Sequence, residues 1–287
     1  MISRYEKASG TTVRTNVNLP TKEPDPFEEE SPNEAGTLVR STVSGIMYGA
    51  RGTRLDLAKP TGLCATRVVS WSDSCTKFLE ALLAFIRGSL QTKLRFDARG
   101  EERDVREWRP DLSVDADYRP GRITTGVFMA VTPIRSRGTL NKFLTLDYSS
   151  TGQKYAKLSA AESEIVGAVH GTRVGIRYAD SWRVICDPDG RAPAEDQRGL
   201  TVGEIPEYAV IRQREDNTAC RITMTRGWSQ KLSHVPTVYG VSVLWASERI
   251  REGRVELYEE PTAEMIADPL TKLVKPEVLF RRGILHA

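Results

Sequence analysis

Apolar positions change their spacing along this chain, and the changes divide it. Residues 1–36 show no period. They are polar, Pro-rich and acidic around Asp25 to Pro32, which predicts a linker or disordered arm. From Thr37 the spacing is helical. Val43, Ile46, Met47 and Ala50 place an amphipathic helix over Ser41 to Arg51. Asp56 to Val69 is a second helical candidate, complicated at its start by Leu57, Pro60 and Leu63. Ser72 then leads into Phe78, Leu79, Leu82, Leu83, Phe85 and Ile86, the most apolar helix of the chain, which stops at Gly88. A short strand over Thr92 to Asp97 and a charged bridge to Trp108 follow. Residues 37–105 thus read as a small helical subdomain.

The period then drops to two. In Asp111 to Tyr118, Leu112, Val114 and Ala116 alternate with Ser113, Asp115 and Asp117, as in a strand with one buried face. Turn residues at Tyr118 to Arg122, a β-rich run from Ile123 to Val131, a turn at Ser136 to Gly138 and a second alternating run from Lys142 to Tyr148 predict a three-stranded meander. Ser159 and Glu162 have the spacing of a capping box, in which hydroxyl and carboxylate satisfy each other's unpaired amides at a helix start. In that helix Gly167, Gly171 and Gly175 recur every fourth residue. Each costs about 1 kcal/mol against Ala, a cost offset if the stripe lets the backbone pack close to a sheet. Asp187 to Gln197 reads as a surface loop and Tyr208 to Arg214 as a strand. A weak helix over Ala219 to Met224, a strong one over Val238 to Arg251, a strand at Arg254 to Tyr258 and a short helix over Thr262 to Lys272, interrupted at Asp268-Pro269, complete the chain. A meander followed by alternating helices and strands predicts, over residues 106–287, an α/β domain with a mixed sheet of five strands flanked by helices.

Composition narrows the chemistry. The 287 residues are 39% hydrophobic and 28% charged, an ordinary globular balance, and no apolar run approaches a membrane span. The start, Met1 to Glu6, lacks the pattern of a signal peptide. The four cysteines (Cys64, Cys75, Cys186, Cys220) are scattered, so a structural zinc site is not expected and an intracellular, reducing setting is. A net charge of +3 permits nucleic-acid binding without demanding it. With only three histidines, carboxylates are the more plausible reagents.

Four acids hold comparable places: Asp115 on the first strand, Glu164 in the first turn of the next helix, Asp216 at the end of the following strand, and Asp268 near the start of the last helix. The acidic face of Asp111 to Asp117 has two readings. One is an exposed edge strand whose polar face meets water. The other is a carboxylate platform on which divalent cations cancel the repulsion. His234 reads first as a loop residue, and Trp71, Phe85 and Trp245 as core. Arg122, Arg135, Arg137 and Lys142 fit a nucleic-acid face or a plain solvated surface.

Several stretches also resemble one family in order. Asp115-Ala-Asp-Tyr118 with Arg122-Ile-Thr-Thr-Gly126 is similar to the "SDADW…R.STSG" motif of the ribonuclease H domain in Ty1/copia-type retrotransposon Pol polyproteins. Leu158 to Glu164 resembles its "LSSTEAE", Asp216-Asn217-x-Ala219 its "DN.SA", and Ile266 to Lys272 its "ADILTK". Upstream, Arg40 to Tyr48 with Thr53 to Leu57 resembles the segment joining the reverse-transcriptase thumb to that domain. The resemblance implies an RNase H-like fold preceded by a connection subdomain, with Asp115, Glu164, Asp216 and Asp268 as the catalytic, metal-binding acids. It implies two Mg²⁺ ions, with Mn²⁺ as a substitute, and hydrolysis of RNA within RNA–DNA hybrids, chosen by the shallow minor groove and its 2′-hydroxyls. It implies the polymerase domain of the parent polyprotein as a partner, no membrane, and a site in the cytoplasm or nucleus, a virus-like particle included. The chain departs from the family over Leu146 to Gln153, where the family's paired basic residues are missing, and again over Thr237 to Glu248, where two histidines and an arginine are absent. No Asp-Asp pair occurs, so a polymerase active site is not expected. The alternative is a non-catalytic, degenerate fragment that keeps the fold and weak nucleic-acid binding.

Overall fold

The computed structural model describes residues 1–25, 36–94, 104–119, 122–136, 143–153, 159–189, 205–281 and 284–286. The expected turn around Gly138, the basic residues Arg137 and Lys142, most of the loop after Asp187 and the acidic stretch 26–35 lie outside them. The chain divides into two compact units, Met1–Arg95 with Lys272–Ala287, and Phe96–Thr271.

The first unit is helical. It contains α1 (Ile2–Ser9), α2 (Thr37–Gly52), a 3₁₀ turn leading into α3 (Ala58–Thr66), and α4 (Asp73–Gly88). Leu79, Leu82, Leu83 and Phe85 of α4 share one hydrophobic core with Val43 and Ile46 of α2. Ser72 caps α4 through the Cys75 amide. Trp71 and Phe85 are core, as their context suggests. The first residues do not form a free arm. Tyr5, Val13 and Leu19 are buried in the same core, Glu6 pairs with Arg87, and the Asn16 amide donates to the Ala84 carbonyl at 3.0 Å. Gly88 permits that approach: a Cβ there would lie 2.1 Å from the Asn16 oxygen. Every one of these partners is distant in sequence, so no local period announces them. The end of the chain also departs from the expected boundary. Leu273 packs on the helical core, and β1 (Lys93–Leu94) pairs antiparallel with β7 (Leu285–His286). The short α10 (Pro276–Arg281) precedes β7.

The second unit carries β2 (Trp108–Arg119), β3 (Arg122–Pro133), β4 (Leu144–Gly152), α5 (Ala160–Cys186), β5 (Ile211–Glu215), α6 (Thr218–Arg226), α7 (Val235–Tyr239), α8 (Val243–Arg251), β6 (Val255–Glu259) and α9 (Asp268–Thr271). The mixed sheet has the order β4-β3-β2-β5-β6: the β2–β3–β4 meander is antiparallel, and β5 and β6 run parallel to β2. The expected mixed sheet of five strands flanked by helices is thus present. No helix among the described residues is long and apolar enough to cross a membrane.

Period two assigns the faces of β2. Leu112 and Val114, with Val127, Met129, Ile211 and Val255, form the core against α5. The glycine stripe brings α5 down onto this face, since a Cβ at Gly171 would stand 2.3 Å from Val114 Cγ2 and one at Gly175 3.1 Å from Leu112 Cδ2. The expected helix over Val238 to Arg251 is two helices. Gly240 adopts φ 63°, which ends α7, and Ser242 accepts the Trp245 amide to start α8.

Candidate active site

β2 is the central strand, not an edge, so its acidic face does not meet water along its length. Asp111 and Asp115, alike in the alternation pattern, have different partners. Asp111 is buried and holds Arg214 of β5 in a two-pronged contact, Oδ1 to Nε at 2.6 Å and Oδ2 to NH2 at 3.0 Å, and accepts from the Thr132 hydroxyl at 3.2 Å. Arg214 also pairs with Glu260 and lies over the Tyr258 ring at 5.0 Å. Asp111 is thereby committed to a buried ion network. Asp117 is half-buried near the strand end.

Asp115 is buried too, and the Thr271 hydroxyl of α9 donates to its Oδ2. The same hydroxyl is 3.1 Å from the carbonyl of Asp268, the first residue of α9. A single threonine thus links the strand acid to the helix that begins with the fourth acid. The approach needs Gly126, the antiparallel partner of Asp115. A Cβ there would lie 2.7 Å from Leu270 Cβ and 3.0 Å from the Ala267 oxygen.

Asp216 follows β5 directly. The parallel register ends at the pair Ser113–Arg214; Asp115 lies two residues past that pair on β2, and Asp216 two residues past it, just beyond the end of β5. The Asn217 side chain accepts the Cys220 amide and starts α6, which fixes where the chain leaves the strand. Asp216 directly follows the carboxyl end of β5, whereas β2 runs on past Asp115 to Arg119; open sheets place ligands beside the carboxyl ends of parallel strands.

Glu164 lies one turn into α5, half-buried. Two contacts missed in the sequence fix that turn. Gln153, just after β4, donates to the Thr125 hydroxyl at 2.9 Å and to the Ser163 carbonyl at 3.0 Å, tying β3 to the residue before Glu164. Ser159 caps the helix through the Glu162 amide at 3.3 Å, but the Glu162 carboxylate does not close the expected box. It accepts from the Tyr239 hydroxyl at 2.8 Å and lies 3.3 Å from His234 Nε2. Burial, aided by Glu162, pushes the Tyr239 hydroxyl up to about 12. His234, at the start of α7, thus lies beside the first turn of α5 without a hydrogen bond from its Nε2.

A fifth acid stands among these. Glu215, the last residue of β5, is fully buried, and its carboxyl is held well above the usual range, first by burial and then by Glu164, with Asp216 and Asp115 adding to it; the Asn217 amide opposes them. The Cys220 thiol beside it is also pushed up, by burial and by Glu215 and Glu164. The local excess of negative charge is what a divalent cation would relieve. The donors are all carboxylate oxygens, which suit Mg²⁺ or Mn²⁺. Among the described residues, however, no group of three or more Asp, Glu, His or Cys side chains stands close enough together to hold a metal ion as it is.

No family model and no curated protein sequence matches the chain. Solved structures similar to it include RNase H1 from the halophilic archaeon Halobacterium salinarum, at 10% identity and a TM-score of 0.33, covering 61% of this chain and 98% of that one. Another is LC11-RNase H1, isolated from compost by a metagenomic approach, at 14% identity and a TM-score of 0.32, covering 60% of this chain and 96% of that one.

Proposed function

We propose that the second unit is a metal-dependent ribonuclease H of a copia-type retroelement, cutting the RNA strand of RNA–DNA hybrids endonucleolytically. The observation that carries this reading is the tie of α9 and its Asp268 to the strand acid Asp115 through Thr271, with Asp216 following β5, the parallel neighbour of that strand. Asp115, Glu164, Asp216 and Asp268 would hold two divalent cations. The chemistry such cations supply when bound is activation of a water for in-line attack and stabilisation of the leaving 3′ oxygen. The chain's own part is to hold the acids in place before substrate arrives: Gln153 and Ser159 fix the turn of Glu164, Asn217 fixes Asp216, and Gly126 admits α9. The parent would be a Pol polyprotein whose polymerase domain lies on other residues, acting in the cytoplasm or nucleus.

The test is incubation of purified protein with a labelled hybrid and Mg²⁺. Cleavage lost in Asp115→Asn, with the fold intact by circular dichroism, is expected. Equal product from wild type and variant overturns the reading. One observation favours a second reading, a non-catalytic fragment that binds hybrids weakly: no three of the acids converge as they stand. Hybrid binding without Mg²⁺-dependent cleavage would establish it.

A further inference from the structure

α9 is only four residues long, and so short a helix has no stability of its own. Contacts with the sheet must therefore decide where Asp268 stands. Leu270 and Thr271 are fully buried, and Gly126 of β3 leaves room for them. Apolar packing of this kind holds α9 down, but it is not directional. Two hydroxyls supply the direction. Ser150 of β4 donates to the Leu270 carbonyl, and Thr271 donates to Asp115 Oδ2 while lying 3.1 Å from the Asp268 carbonyl. Thr271 has one proton for two acceptors, and the charged acceptor makes the stronger bond. The next residue, Lys272, already belongs to the helical unit, so Thr271 is the last point at which the second unit holds the chain.

We propose that Thr271 is a positioning residue, its hydroxyl setting Asp268, the first residue of α9, against the strand acid Asp115 before any cation arrives. This deepens the nuclease reading above and rests on it. The hydroxyl serves the site in both of its states. Without a cation, its proton goes to the Asp115 carboxylate, whose charge is buried. With a cation on Asp115, the same proton has the Asp268 carbonyl to turn to, by rotation of the hydroxyl alone. The site thus gains or loses its metal while α9 keeps its seat. A valine has the same shape as Thr271 but no proton to give, and a serine keeps the proton.

The test compares the full chain as wild type, Thr271→Val and Thr271→Ser; Thr271→Ala, which also lacks the hydroxyl, stands in if the valine variant does not fold. Hydrogen exchange of the peptide from Ile266 to Thr271, followed without metal, reports how α9 is seated. Mn²⁺ affinity by calorimetry reports the acids. Expected for Thr271→Val are exchange at least about tenfold faster in that peptide, with β2 and β3 unchanged, and Mn²⁺ bound at least about tenfold more weakly. Thr271→Ser is expected to return both to near the wild-type values. A role in stability alone would lower the melting temperature of Thr271→Val and leave the Mn²⁺ affinity of its folded molecules as in wild type, and that result overturns the proposal. So does a serine variant that behaves as the valine variant does. If wild type binds no Mn²⁺ and cleaves no hybrid, yet α9 exchanges faster with valine and not with serine, the nuclease reading falls and the positioning role stands. If wild type cleaves hybrid with Mg²⁺ while Thr271→Val leaves exchange and Mn²⁺ affinity untouched, the positioning role falls and the nuclease reading stands.

Discussion

Two aspartates four residues apart on one strand show how little a side chain's identity says without its partners. Asp111 and Asp115 share a face and are both buried, yet one is taken by Arg214 and the other accepts from the Thr271 hydroxyl of α9. Their substitutions should therefore separate. Asp111→Ala leaves Arg214 inside the protein without its main partner and is expected to cost about 3–5 kcal/mol, the usual loss when half of a buried ion pair is removed. Chemical denaturation measures it, and cleavage per folded molecule should stay near the wild-type level. Asp115→Asn is expected to do the reverse. A stability loss for Asp115→Asn as large as that for Asp111→Ala would put the two residues in the same class. The sequence showed both as strand acids. Arg214 was legible only as part of an alternating run, and nothing in that run says that it reaches back a hundred residues to Asp111.

Among the elements, α5 does the most to place the site, and its glycines are unequal. Gly171 has Val114 against it, with a β-branched side chain that is stiff at χ1, whereas a Cβ at Gly167 would make ordinary contacts of 3.4 and 3.5 Å with Thr125 and Ala116. Gly171→Ala should destabilise by about 1–3 kcal/mol through overpacking. Gly167→Ala should be neutral or stabilise by up to about 1 kcal/mol through helix propensity. Thermal melts of the two single variants check both, and equal effects would mean that α5 does not lie where these distances put it. The stripe itself was plain in the sequence. Which member touches the sheet was not, because that depends on how far the helix axis is inclined to β2. The same holds for Gly240. A single left-handed residue splits what the apolar period presents as one continuous helix, since periodicity reports which positions face a core and not whether the backbone between them is unbroken.

For the whole molecule, the order of the chain is a poor guide to its units. The meander, the helix after it and the parallel strands were readable because each has its own period and its own caps. The first twenty residues and the last sixteen were not, since they are held by distant partners: Glu6 by Arg87, Leu273 by the helical core, β7 by β1. Removing residues 272–287 should therefore weaken the helical unit and spare the sheet. Limited proteolysis is expected to cut the shortened chain within α1 to α4 while a fragment containing β2 to α9 persists. Faster loss of the sheet fragment would contradict the division.

The Arg214–Asp111 contact has one more consequence, for alignment. Alternating apolar residues are blind to a slip of two positions between β2 and β5, because every side chain would keep its face. Such a slip moves each group about 6.6 Å along the strand. It would carry the guanidinium away from the two oxygens it now grips, and shift Asp216 by the same step against Asp115. The buried ion pair is then less a source of stability than a vernier mark, the feature by which two strands that could settle at several offsets settle at a single one.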